Sequence, residues 1–151
     1  MGEMKALYDS KSGERGVFSR VAAQKIAGKN GRRDANHEFG TNPCSEIILR
    51  PNQFCNLSEV VVRMEDNLET LKDKVRLATI LGTLQATLTD FRYLRSIWKK
   101  NTEEECLLGV SLTGIMDREL TSSSKNLGET LKTLQEVAIE TNKEWANKLG
   151  I

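Results

Sequence analysis

Proline, histidine and aromatic residues are scarce in this chain. Among 151 residues there are two prolines and one histidine, and Phe, Trp and Tyr together supply 5%. The three cysteines, Cys44, Cys55 and Cys106, are odd in number and form no Cys-x-x-Cys pair, which excludes a disulfide framework and, with one histidine, a zinc site. They read as thiols of a reducing cytosol. No window approaches the roughly 18 consecutive apolar residues of a membrane span, and Met1 to Leu7 holds no apolar run like that of a signal peptide. The expectation is a soluble, cytoplasmic protein. Lysine plus arginine, 22, nearly cancel aspartate plus glutamate, 21, so no global field attracts nucleic acid or an anionic membrane, and partners have to be recognised locally.

What is present is a modest aliphatic core and a charged surface: 38% of residues are hydrophobic and 28% are charged, enough for one helix-rich domain. Phe18, Val21, Ala22 and Ile26 fall at helical spacing and predict a helix over 14–27, ended by Gly28 and Gly31. The polar run 29–39 has no core-forming pattern and reads as a loop. Ile47, Ile48 and Leu49 suggest a short strand covered on both faces, and Val60 to Val62 another extended piece. Leu68, Leu71, Val75, Ile80, Leu81, Leu84 and Leu88 mark a long amphipathic helix capped by Asn67. A second helix, or a bent continuation of the first, is expected over 91–99, and Asn101-Thr102 before Glu103 to Glu105 reads as a cap that starts the next element. The stretch 107–116 is apolar and fits a strand or a packed helix equally. Asn126 and Glu129 resemble a cap for a terminal helix carrying Leu127, Leu131, Leu134, Ala138, Trp145 and Leu149, ending at Gly150.

The chemistry concentrates in GTNPCSEII, residues 40–48, and FCNLSEV, residues 54–60. Pro43 fixes its own backbone and pushes Asn42 toward an extended conformation. In an extended chain the period of two puts Asn42, Cys44 and Glu46 on one face, where an amide, a thiol and a carboxylate would converge. Pro51-Asn52 is a plausible turn that lets Cys55 return toward Cys44.

The letters NPCSEI followed by FCNL resemble the ribonucleotide reductases. The flanks DSKSGERGVF, LATILGTLQATLTDF and LLGVSLTGIMD resemble the adenosylcobalamin-dependent class, so the resemblance runs from about Tyr8 to Asp117. It implies a helix-rich partial segment, 1–151, of a ten-stranded α/β barrel, with the active cysteine on an inserted finger loop at about 40–56 and a helical part at about 67–151. It implies that Cys44 carries the thiyl radical that abstracts the ribose 3′-hydrogen, that Glu46 is the general base for the 3′-hydroxyl, that Asn42 orients the sugar, and that Cys55 is one of two reducing thiols. The cofactor implied is adenosylcobalamin, and the substrate a ribonucleoside di- or triphosphate. The implied partners are the other fragments of a split reductase and a thioredoxin-like or dithiol reductant. The other redox cysteine and the phosphate-cradling Pro-Ser-Gly-Thr type loop are not found, which gives the expectation of a central slice that starts at its own Met1 and ends before that loop.

Other readings compete. The chain could be a catalytically silent fragment that completes a partner's fold, or its radical could come from a metal-containing subunit or a glycyl radical. Cys106 matches no family motif and reads as a core or surface thiol with no role. His37, alone in a polar loop, reads as solvated. Lys25, Lys29, Arg32 and Arg33 read as a solvated helix end rather than a phosphate site, and the leucines of 68–88 as core packing, part of which may face a missing subunit.

Overall fold

The capping signal at Asn67 is realised in full. In the computed structural model, which describes residues 2–12, 16–29, 31–115 and 127–151, the Asn67 side chain accepts from the Thr70 backbone N–H at 2.9 Å and the Thr70 hydroxyl accepts from the Asn67 N–H at 2.9 Å. This closed box satisfies two donors that the first helical turn leaves open. Glu14, Met116, Asp117 and Asn126, which figured in the sequence reading, lie outside the described residues. The chain divides into two units, 1–51 and 52–151, and the division falls inside the 40–56 stretch expected to be a finger loop.

The second unit is an α/β layer. Strands β3 (Asn56–Val61) and β4 (Leu108–Thr113) pair in parallel, Asn56 opposite Leu108. Antiparallel strands can join by a tight turn, but a parallel pair needs a long crossover. Helices α3 (Leu68–Ala86) and α4 (Ser96–Glu105) fill that crossover, and α5 (Leu127–Leu149) packs on α3. The core is Val60, Val62, Leu71, Val75 and Leu134, flanked by Leu68, Ala78, Val110, Leu112, Val137 and Ala138. The α3–α5 seam also buries Thr79, Thr83, Thr130 and Thr141. Thr79 and Thr83 can be buried because their hydroxyls donate to the carbonyls of Val75 and Thr79, both at 2.7 Å.

That seam corrects the leucine stripe. Leu71 and Val75 are buried as expected, but Leu81, Leu84 and Leu88 are exposed, and Thr79, Gly82, Thr83 and Ala86 take the inner face. The strand at Val60 begins earlier, at Asn56. The 107–116 ambiguity resolves as strand β4 over its described part. Asn101-Thr102 starts nothing: both residues are buried inside α4, which runs on to Glu105 and ends at Cys106 in the left-handed conformation, φ 43°. The terminal helix has the expected extent, and Gly150 closes it with φ 73°.

The first unit is small. It holds α1 (Gly2–Ser10), which has no buried residue, and α2 (Arg20–Lys29). Strands β1 (Gly40–Thr41) and β2 (Ile48–Leu49) form an antiparallel pair. Its core is Ala23, Ala27 and Phe39, with Ile48 against them. Helix α2 therefore turns the opposite face inward from the one expected: Val21 and Ile26 are 62% and 61% exposed. The small alanines admit Phe39, a buried aromatic inside the run assigned to a coreless loop. Gly28 permits the close return after α2, since a Cβ there would lie 3.1 Å from that of Ala35. Residues 47–49 are half-buried at a two-strand edge, not covered on both faces.

Candidate functional site

Between β1 and β2 the chain reverses over four residues, Pro43 to Glu46. Asn42 N–H donates to the Ile47 carbonyl at 3.3 Å, continuing the ladder, and Ser45 N–H donates to the Asn42 carbonyl at 3.0 Å, closing a β-turn. Pro43 sits at the position of that turn where its fixed φ is favoured, and Ser45 takes a left-handed φ of 65°. The extended tract expected from the Asn42-x-Cys44-x-Glu46 spacing is thus a hairpin tip, and the three side chains do not share one face by alternation. Pro43 acts here as a turn former; that role outweighs the extension it favours in its neighbour.

The turn nevertheless brings two of the three groups together. The Asn42 amide donates to Glu46 Oε1 at 2.5 Å, while Asn42 Oδ1 accepts from the Ile47 N–H at 3.1 Å. One side chain therefore both closes the loop and holds the carboxylate. Cys44 and Glu46 are exposed, with Asn42 half-buried beneath them. Arg33 braces the hairpin, since its guanidinium lies 4.9 Å from the Phe39 ring centroid and donates to the Ile48 carbonyl at 2.8 Å. Within the basic cluster Arg33 is thus structural, while Lys25, Lys29 and Arg32 are exposed. His37 meets Phe39 edge-on at 6.3 Å and lies 3.9 Å from Asp34. The Asp34 carboxyl is held below its usual range first by the Asn36 backbone N–H, with burial opposing and the nearby His37 adding to the lowering.

Cys55 belongs to the second unit, directly before β3, and its thiol lies 3.7 Å from the Asn56 carbonyl. Its neighbours on both sides are fastened to the α4–β4 segment. Gln53 is buried and donates to the Asn101 carbonyl at 3.1 Å and to the Glu105 carboxylate. Phe54 N–H donates to the Thr102 hydroxyl at 3.3 Å. The Phe54 ring lies 4.7 Å from that of Trp98 and 5.1 Å from that of Phe91. Asn56 donates twice to the Leu107 carbonyl, from its backbone at 3.0 Å and its amide at 3.1 Å. Sequence reading missed this clamp. The available signal was the pair of small polar residues, Asn101 and Thr102, on the inward side of a helix otherwise rich in charge.

No family model matches the chain, and no solved structure matches it. It is similar to the adenosylcobalamin-dependent ribonucleoside-triphosphate reductase of Lacticaseibacillus paracasei. The identity is 32% over 117 residues, covering 74% of this chain, and the chain spans 15% of that relative's length. This similarity supports a ribonucleotide reductase relationship.

A groove of about 440 Å³ in the second unit, lined by residues that include Glu59, Arg63, Lys74, Leu77 and Leu81, is of the size that holds drug-like ligands. Among the described residues no group of three or more His, Cys, Asp or Glu side chains could hold a metal ion. No helix among them is long and apolar enough to cross a membrane.

Proposed function

We propose that this chain is the cysteine-bearing segment of a ribonucleotide reductase of the adenosylcobalamin-dependent class, working with further polypeptide as part of that enzyme's barrel. The observation that carries the reading is the Asn42–Glu46 hydrogen bond at the base of a hairpin whose tip presents an exposed Cys44. The similarity to a reductase gives that geometry its chemistry.

In this reading Cys44, as a thiyl radical, takes the 3′-hydrogen of a ribonucleotide. Sulfur suits the step because its S–H bond is close in strength to an activated ribose C–H bond, which keeps the transfer reversible. Glu46 accepts the 3′-hydroxyl proton, and Asn42, already bound to that carboxylate, orients it and the sugar. Loss of the 2′-hydroxyl as water consumes two reducing equivalents, and Cys55 supplies one of the two thiols. Adenosylcobalamin binds on the rest of the enzyme, and a dithiol protein of thioredoxin type recharges the thiols.

The test is deoxynucleotide formation by the chain together with the remaining reductase polypeptide. Cys44→Ser is expected to abolish product while the complex still assembles. Assembly with full activity would instead favour a second reading, a catalytically silent fragment that completes a partner's fold. The exposed row Leu77, Leu81 and Leu84 along α3, with the exposed Leu88 just past its end, supports that second reading, since such a row is suited to packing against another chain.

A further inference from the structure

We propose that the outward face of α2 is a docking surface for an acidic amphipathic helix of the remaining reductase polypeptide. The source of that helix rests on the reductase reading, and its chemistry on the first unit alone.

Helix α2 buries its small residues and exposes its large ones. Ala23 and Ala27 pack with Phe39, while Val21 and Ile26 are 62% and 61% exposed, with Ala22 exposed beside them. Val17 and Phe18, just before the helix, are exposed as well. At helical spacing, positions 21, 22, 25, 26 and 29 fall on one side, opposite 23 and 27. The apolar stripe read from the sequence therefore exists, but it faces away from the core of its own unit. Apolar side chains gathered in this way on a surface mark a site of interaction.

Charge identifies what covers it. Residues 16–33 contain five cations, Arg20, Lys25, Lys29, Arg32 and Arg33, and no carboxylate, in a chain whose net charge is +1. Arg33 is taken up by the Phe39 ring and the Ile48 carbonyl. Lys25, Lys29 and Arg32 are exposed, and none of them has a hydrogen-bond or ion-pair partner among the described residues. Lys25 and Lys29 stand one turn apart on the apolar side itself. A second copy of α2 would set cation against cation, which an interface penalises. A lipid surface takes an unbroken apolar stripe with cations on the opposite, polar face, whereas here the lysines interrupt the stripe.

The complement is a helix with two carboxylates one turn apart, beside aliphatic side chains that meet Val21, Ala22 and Ile26. An antiparallel crossing suits it best. Glutamate and aspartate are favoured in the first turn of a helix, and an antiparallel partner lays that turn beside Lys29 at the C-terminal end of α2. The chain spans 15% of the length of the reductase it resembles, which leaves most of such an enzyme to supply the helix. Docking has a consequence for the thiol: α2 shares Phe39 with the hairpin strand that holds Ile48, so a helix clamped on α2 fixes the unit that carries Cys44.

The test is association of the full chain with the remaining reductase polypeptide, measured by calorimetry at low and high salt. Lys25→Glu/Lys29→Glu is expected to weaken binding at least about tenfold, and Val21→Ser/Ile26→Ser by a similar factor, with the lysine effect shrinking as salt rises. All four positions are exposed, so circular dichroism of both double variants should match that of wild type. A photoreactive side chain placed at Ala22 is expected to crosslink to a helix with acidic residues one turn apart. No association by wild type, unchanged affinity in both double variants, or a crosslink to a segment without carboxylates would overturn the proposal. Vesicles of phosphatidylserine and phosphatidylcholine form the second arm. Binding to them that the lysine variant abolishes, with association to the polypeptide unaffected, assigns the face to lipid and overturns the proposal too. Should both variants weaken association while the wild-type complex makes no deoxynucleotide, the reductase reading fails and the docking surface stands.

Discussion

Cys44 rides on a hairpin whose strands are two residues each, whereas Cys55 enters a six-residue parallel strand and has its neighbours bonded on one side to α4 and on the other to Leu107. The hairpin depends on one aromatic, Phe39, set against two alanines and Ile48. The strand depends on a shared core of Val60, Val62, Leu71, Val75 and Leu134. The comparison teaches that one chain can carry an exposed thiol on a lightly braced tip and a part-buried one on a rigid frame. In the proposed reading the exposed tip suits the thiol that must meet a sugar.

The largest expected effect breaks the first unit alone. Phe39→Ala removes the ring from its core at a cost of about 3–5 kcal/mol. Hydrogen exchange should then show loss of protection at the Asn42 and Ile47 amides, with β3 and β4 amides unchanged. Equal loss in both units would mean that they unfold together, and the contrast between the two thiols would disappear.

Thr102→Val should come next, sharpening the other side. Thr102 is buried and accepts from Phe54 N–H, so the isosteric change leaves a donor without its partner at about 1–3 kcal/mol. Alkylation of Cys55 should speed up about fivefold or more, that of Cys44 should not change, and Thr102→Ser should restore the wild-type rate. A Cys55 rate indifferent to Thr102→Val would show that α4 does not hold that segment.

Parts of this architecture were legible because local chemistry and fold agree. Asn67 capped α3, and the apolar spacing of 127–149 matched α5. Where they failed, a residue had two uses. Pro43 can extend its predecessor or start a turn, and the ladder from Thr41 to Ile48 chose the turn. Asn101 and Thr102 resemble a cap before three glutamates, yet their oxygens were needed by Gln53 and Phe54 one strand away. Thr79 and Thr83 count as polar in any stripe, although hydroxyls bonded one helical turn back pack much as valine does. The fastening of Gln53, Phe54 and Asn56 to Asn101, Thr102 and Leu107 was illegible because it depends on the register of two strands far apart in sequence.

A smaller effect depends on pH. Asp66 is buried in the turn between β3 and α3, where Lys74 lies 2.6 Å away and the Arg63 N–H donates at 2.7 Å. The Lys74 hydrogen bond leads in holding the Asp66 carboxyl below its ordinary value, with burial opposing. A carboxyl depressed by folding contributes stability that is complete above its unfolded value, about 3.9, and is lost as pH falls through the lower folded value. Urea titrations of wild type and Asp66→Asn should therefore differ most near neutrality and converge below about pH 4. A constant difference across that range would assign the effect to shape rather than charge.

The smallest effect is expected on the outer face of α3. Leu71 and Leu81 lie on the same helix, the first fully buried and the second 61% exposed. Leu71→Ala should cost about 2–5 kcal/mol, whereas Leu81→Gln should stay within about 0.5 kcal/mol, because nothing is taken out of a core. Repeating both substitutions in the presence of the remaining reductase polypeptide separates the two readings of the exposed row. If α3 faces solvent in the assembly, Leu81→Gln remains silent in both folding and association. If the row packs against another chain, the isolated stability is still unchanged but association weakens, since a leucine buried at an interface is worth roughly 1.5–3 kcal/mol. A silent Leu81→Gln in both measurements would count against the leucine row as a surface for another chain and leave the proposed role resting on the Cys44 hairpin.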